Sequence, residues 1–121
     1  MQREILDFLK DIQREIQFLQ SQTNQKDYIT FVNDAVLTRA CERSLEIIGE
    51  AVKNIPSEFR MKYPLIEWRD FAGMRDKLIH HYFGIDYEIV WSVIQSELPD
   101  LKDAIGILIE QTLESESDYT Q

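Results

Sequence analysis

Four side chains in one short stretch carry most of the chemistry this sequence offers: Arg75, His80, His81 and Tyr82. Arginine presents a charged planar fork that fits phosphate or carboxylate. Histidine ionises near neutrality, so it can take or give a proton. His80 and His81 are the chain's only two histidines, and a position in the last turn of a helix favours their protonated forms. On an ideal helix Tyr82 projects within about 20° of Arg75, whereas Arg75 and His80 lie about 140° apart. A cleft at an unwound helix end would bring Arg75 and His80 together. A twofold dimer would do so more readily, because each copy would add its Arg and His to one shared groove, with two histidines available as base and acid.

Other readings compete. Arg75 falls between Phe71/Ala72 and Leu78/Ile79, in the middle of what reads as an apolar stripe. A guanidinium there is costly to desolvate unless an anion meets it. That leaves a buried salt bridge, an arginine snorkelling out along its stem, or a preorganised anion site. Each histidine alone reads equally as a surface or capping residue. Adjacent helical residues point about 100° apart and do not chelate one ion together. With no His-Glu-x-x-His pattern present, no metal site and no cofactor are expected. The single cysteine, Cys41, excludes an intramolecular disulfide and a cysteine-based zinc site; inside an apolar helical pattern it reads as a buried, inert thiol.

The elements that must position these groups are helices. Residues 2–20 place Ile5, Phe8/Leu9, Ile12, Ile16 and Leu19 at steps of three and four, an amphipathic helix. A turn over residues 21–24 and a short helix over 26–33 follow. Residues 34–54 put Leu37, Cys41, Ser44, Ile48 and Ala51 on one face, which continues to Ile55 before Pro56 stops the helix. Ser57 is a candidate cap for one short turn over 58–62. A third helix is predicted over residues 66–83, with Trp68, Phe71/Ala72, Leu78/Ile79 and Tyr82 on its stripe and Gly84 as its stop. Asp86 caps a fourth helix through Glu97, and Pro99 stands in the first turn of a last one bearing Leu101, Ile105, Leu108, Ile109 and Thr112. With no strand alternation, the pattern predicts an all-α bundle of four main helices plus one or two short ones. One domain spans residues 1–113, and 114–121 form an acidic, frayed tail.

The chain has 121 residues, 13 Lys+Arg against 22 Asp+Glu, a formal net charge of −9, and 44% hydrophobic residues. That length supports one domain with a core of its own, and the composition excludes a disordered chain. Residues 1–85 carry 12 basic and 13 acidic side chains; residues 86–121 carry one basic (Lys102) and nine acidic. The acidity is thus concentrated in the last third, and the average charge does not exclude an anion site near Arg69, Arg75 and Lys77. No apolar run reaches the roughly 20 residues needed to span a bilayer, and the charged start reads as no signal peptide. A soluble cytoplasmic protein is expected.

The run Trp68-Arg69-Asp70-Phe71-Ala72-Gly73-Met74-Arg75-Asp76-Lys77-Leu78-Ile79-His80-His81-Tyr82-Phe83-Gly84-Ile85-Asp86 resembles the signature of HepT-like toxins, ribonucleases of the HEPN superfamily. Their motif is Arg, four residues, His, any residue, Tyr, here Arg75, His80 and Tyr82. The resemblance extends to Glu46-Ile47-Ile48-Gly49-Glu50-Ala51, to Trp91 and to Leu98-Pro99-Asp100-Leu101. It implies a HEPN-type helical bundle that dimerises through its motif helix and cuts RNA without a metal, the ribose 2′-hydroxyl attacking the adjacent phosphate. His80 would be the general base or acid and Arg75 would hold the phosphate. Asp76, where many members carry Asn, would orient a motif side chain; His81 fills the variable slot.

The resemblance also implies a type VII-like toxin–antitoxin pair. A minimal nucleotidyltransferase antitoxin would attach adenylate to Tyr82, adding bulk and negative charge beside the Arg75 site and so blocking RNA. RNA, that antitoxin and a second copy of the chain are the expected partners; DNA and membrane are not. The alternatives are a non-catalytic HEPN module that docks a nucleotidyltransferase or a nucleotide, and a plain structural bundle with a buried arginine.

Overall fold

The computed structural model describes residues 2–78 and 84–120, with side chains from Ile5 to Leu78 and from Gly84 to Ser115. Helices appear in the order α1 (Gln2–Thr23), α2 (Tyr28–Val32), α3 (Ala35–Lys53), α4 (Ser57–Arg60), α5 (Trp68–Ala72), α6 (Met74–Leu78), α7 (Tyr87–Ser92) and α8 (Leu98–Thr120), with one π-helical turn, Val93–Glu97, joining the last two. The fold is all-α, as the periodicity predicts.

α1 packs along α3 and α8, and α3 also packs against α5 and α6. The predicted stripes are the core. Leu9, Ile12, Ile16 and Leu19 of α1 are fully buried, as are Cys41, Leu45 and Ile48 of α3 and Leu101, Ile105 and Leu108 of α8. Polar groups within these faces are satisfied locally. Thr112 donates to the Leu108 carbonyl, and the Ser44 hydroxyl donates across to the Glu15 carboxylate of α1. Cys41 is wholly buried, and desolvation pushes its thiol up to about 11, away from the reactive thiolate.

Caps set the starts of several helices. The Asp27 carboxylate accepts from the Thr30 N–H, Asp34 accepts from Leu37, and Asp86 accepts from Glu88 and Ile89. Ser57 does not cap α4 as expected: it is the helix's first residue, behind Pro56, and no side chain caps that end. α1 extends to Thr23, through residues expected to turn, and the buried Thr23 hydroxyl donates to the Leu19 carbonyl.

Three further boundaries differ from expectation. The helix expected over 66–83 begins at Trp68 and is interrupted at Gly73, whose φ of −90° and ψ of 19° leave the helical region. Its N–H still donates to the Arg69 carbonyl, and its own carbonyl accepts from Lys77, so the ladder resumes after one residue. Between α7 and α8 there is no loop. The Leu98 N–H reaches back five residues to Val93, the wider π turn that accommodates Pro99, which has no N–H to give a carbonyl four residues earlier. α8 runs to Thr120, past the acidic residues expected to form a tail; no Gly or Pro after Gly106 interrupts the ladder.

α3 crosses the α5–α6 segment at Gly49. A Cβ there would lie 2.7 Å from the Phe71 carbonyl oxygen and 3.2 Å from the Met74 Cβ. The first of these is backbone and cannot rotate away. Gly49→Ala is therefore expected to destabilise the fold by about 1–3 kcal/mol, read as a lower urea midpoint. An unchanged midpoint would show that α3 and the segment bearing Arg75 part without cost.

Candidate active site

α6 carries Arg75, and three contacts fix that helix. Met74 and Leu78 are fully buried and seat it on α3. Lys77 Nζ pairs with the Glu97 carboxylate at 3.3 Å, tying α6 to the π turn. The Asp86 N–H donates to the Leu78 carbonyl at 2.9 Å, so the chain entering this segment and the chain leaving it are held together. Within the segment that bond closes, Gly84 adopts φ +81°, which a glycine takes without penalty. α7 is held in turn by an aromatic cluster, with the Trp91 ring 5.0 Å from Phe31 and the Tyr87 ring edge-on to Phe31 at 6.4 Å.

Arg75 is not in the middle of the apolar stripe. The buried positions are Trp68, Phe71, Met74 and Leu78, and Met74, rather than its neighbour, continues the series. One residue further round, Arg75 is exposed. It makes no ion pair or hydrogen bond among the described residues. This overturns both the buried salt bridge and the costly buried guanidinium, and it removes the premise of a purely structural arginine. Asp76 is likewise exposed and unpaired among the described residues.

The neighbouring cations differ. Lys77 is half-buried and already neutralised by Glu97, whereas Arg69 is exposed and unpaired among the described residues. Arg75 is thus a guanidinium on a braced helix, with no anion paired to it among the described residues. The Lys77–Glu97 pair was not legible in the sequence, since nothing in the spacing of residues 20 apart announces it. It also shows that the acidic last third reaches the motif helix in space. His80, His81 and Tyr82, the other residues singled out by the sequence, lie outside the described residues.

The profile of a family described as Ribonuclease HepT-like matches residues 12–107. The chain is 48% identical over 104 residues to a protein of Caldanaerobacter subterraneus subsp. tengcongensis, covering 86% of this chain and 93% of that one. It is 43% identical over 107 residues to one of Methanocaldococcus jannaschii, covering 88% of each. Both relatives carry the printed name "Putative RNase". A third, "Probable ribonuclease HepT" of Thermococcus cleftensis, is 43% identical over 102 residues, 84% of this chain and 93% of that protein. No solved structure matches. Among the described residues no helix is long and apolar enough to cross a membrane.

Proposed function

The chain belongs to the HepT-like ribonuclease family, and on that premise we propose that it is a metal-independent RNA endonuclease. The observation that carries this reading is the exposed guanidinium of Arg75, unpaired among the described residues, on a helix braced by three contacts. In the proposed reaction the ribose 2′-oxygen bonds to the adjacent phosphorus as the bond to the 5′-oxygen breaks. The 2′-hydroxyl proton passes to a neutral His80, and a protonated His80 of a second copy supplies a proton to the leaving 5′-oxygen. The products are a 2′,3′-cyclic phosphate end and a 5′-hydroxyl end. Arg75 holds the non-bridging phosphate oxygens and stabilises the charge that builds on them. Asp76 orients a motif side chain.

The same residues suit regulation as the toxin of a toxin–antitoxin pair. A nucleotidyltransferase would transfer adenylate from ATP to the Tyr82 hydroxyl oxygen, releasing pyrophosphate. The new phosphodiester would be an anion that competes with RNA for the guanidinium. Co-expression with a minimal nucleotidyltransferase is expected to add adenylate mass at Tyr82 and to suppress cleavage of added RNA. Peptide mass spectrometry that finds the modification only elsewhere would refute the regulatory half; an unmodified chain that leaves RNA intact would refute the catalytic half.

A further inference from the structure

A groove beside α4 and the start of α5 has no role in the chemistry above. It is an open, shallow groove of about 460 Å³, and its lining includes Arg60, Met61, Pro64, Glu67 and Arg69. Arg60 is held in place, its Nε donating to the Ile55 carbonyl at 3.0 Å, which leaves the outer nitrogens of the fork. Arg69 is exposed and makes no ion pair or hydrogen bond among the described residues. Two guanidiniums against the one carboxylate of Glu67 leave this groove positive, on a chain of net charge −9. One wall is apolar, with Met61 74% exposed beside Pro64. The turn that forms it is fixed where the Trp68 indole N–H donates to the Tyr63 carbonyl at 2.9 Å.

We propose that this groove seats a second nucleotide of a single-stranded RNA, its phosphate on Arg60 and Arg69 and its base against Met61 and Pro64. The proposal rests on the ribonuclease reading. Position favours a strand over an unrelated ligand. Arg69 and Arg75 are both exposed on consecutive short helices, six residues apart, so a strand of a few nucleotides reaches both guanidiniums. A free guanidinium meets phosphate bidentately and also stacks on a base. The apolar wall accepts any base, which makes the contact tolerant of sequence.

The test is fluorescence anisotropy with a labelled, non-cleavable 2′-O-methyl oligouridylate, together with steady-state cleavage of ordinary RNA. Arg69→Ala is expected to weaken probe binding roughly tenfold and to flatten the salt dependence of log K by about 0.7. In cleavage it raises KM more than it lowers kcat. Arg60→Ala/Arg69→Ala deepens both effects, and the single variant stands if loss of the Arg60–Ile55 contact unfolds the double. Arg39→Ala, the same charge change at an exposed site on α3, leaves binding unchanged. If Arg69→Ala matches Arg39→Ala while the wild type cleaves RNA, the groove is overturned and the ribonuclease reading stands. If the probe binds through Arg69 but RNA is never cut, the ribonuclease reading falls instead. No binding and no cleavage overturns both.

Discussion

Arg75→Ala is expected to lower RNA cleavage by about two to three orders of magnitude, the scale of losing one preorganised donor to developing negative charge, with the chain still folded. Both halves follow from where the side chain sits. Arg75 is exposed beside fully buried Met74, so truncating it opens no cavity and removes no described partner. Its stability cost is that of an ordinary surface substitution, about 0.5 kcal/mol or less. The catalytic cost is larger because the guanidinium meets charge that grows only as the phosphorus becomes five-coordinate. Arg75→Lys keeps the charge and loses the fork, so it recovers part of the rate. Circular dichroism and an RNA degradation assay on the same preparations decide the matter. An Arg75→Ala chain that unfolds would reinstate the structural role, and one that cleaves like the wild type would remove Arg75 from the reaction.

The long helices were legible because their apolar residues recur at three- and four-residue steps over five or more turns, enough repeats to fix a face. α3 is the clearest case, with all five predicted positions, Leu37, Cys41, Ser44, Ile48 and Ala51, buried, and Ile55 beyond it buried too. The segment bearing the motif was harder. Its helices are five residues each, and in so short a span an error of one residue turns a side chain by about 100°. Reading Phe71/Ala72 to Leu78/Ile79 as one unbroken stripe placed Arg75 on it. The interruption at Gly73 and the burial of Met74 move it to solvent. Packing on α3 also involves the close approach of the Phe71 carbonyl to Gly49, a contact between residues 22 apart that no local periodicity encodes.

Charge was legible in amount but not in placement. The last third carries nine acidic residues, and its position in sequence suggested distance from the motif. Glu97 nonetheless pairs with Lys77 one residue beyond Asp76. The pair removes Lys77 from the cations available to RNA, so of the three cations of α5 and α6, Arg69, Arg75 and Lys77, the two arginines remain unpaired among the described residues. For a strand approaching an acidic chain, two unpaired arginines are a local attraction in a repulsive field. Affinity that depends on them falls steeply with salt, so binding and cleavage compare only at one fixed ionic strength.

His80→Ala is expected to lower kcat by a factor of about 10² to 10⁴, the range for removing a positioned acid or base, while His81→Ala leaves cleavage nearly intact. The two residues are adjacent and identical in chemistry, so the contrast between them is free of any general effect of losing an imidazole. A histidine that moves protons imposes its own ionisation on the rate. The wild-type rate therefore carries a titrating limb, which the residual activity of His80→Ala loses while His81→Ala keeps it. Excess EDTA discriminates the remaining possibility: proton transfer by His80 persists in the chelator, whereas a histidine serving as a metal ligand would lose its ion. Equal losses at His80 and His81, or cleavage abolished by EDTA, would overturn the assignment of His80 as the acid–base residue, and the exposed arginine of α6 would then need a different partner in the reaction.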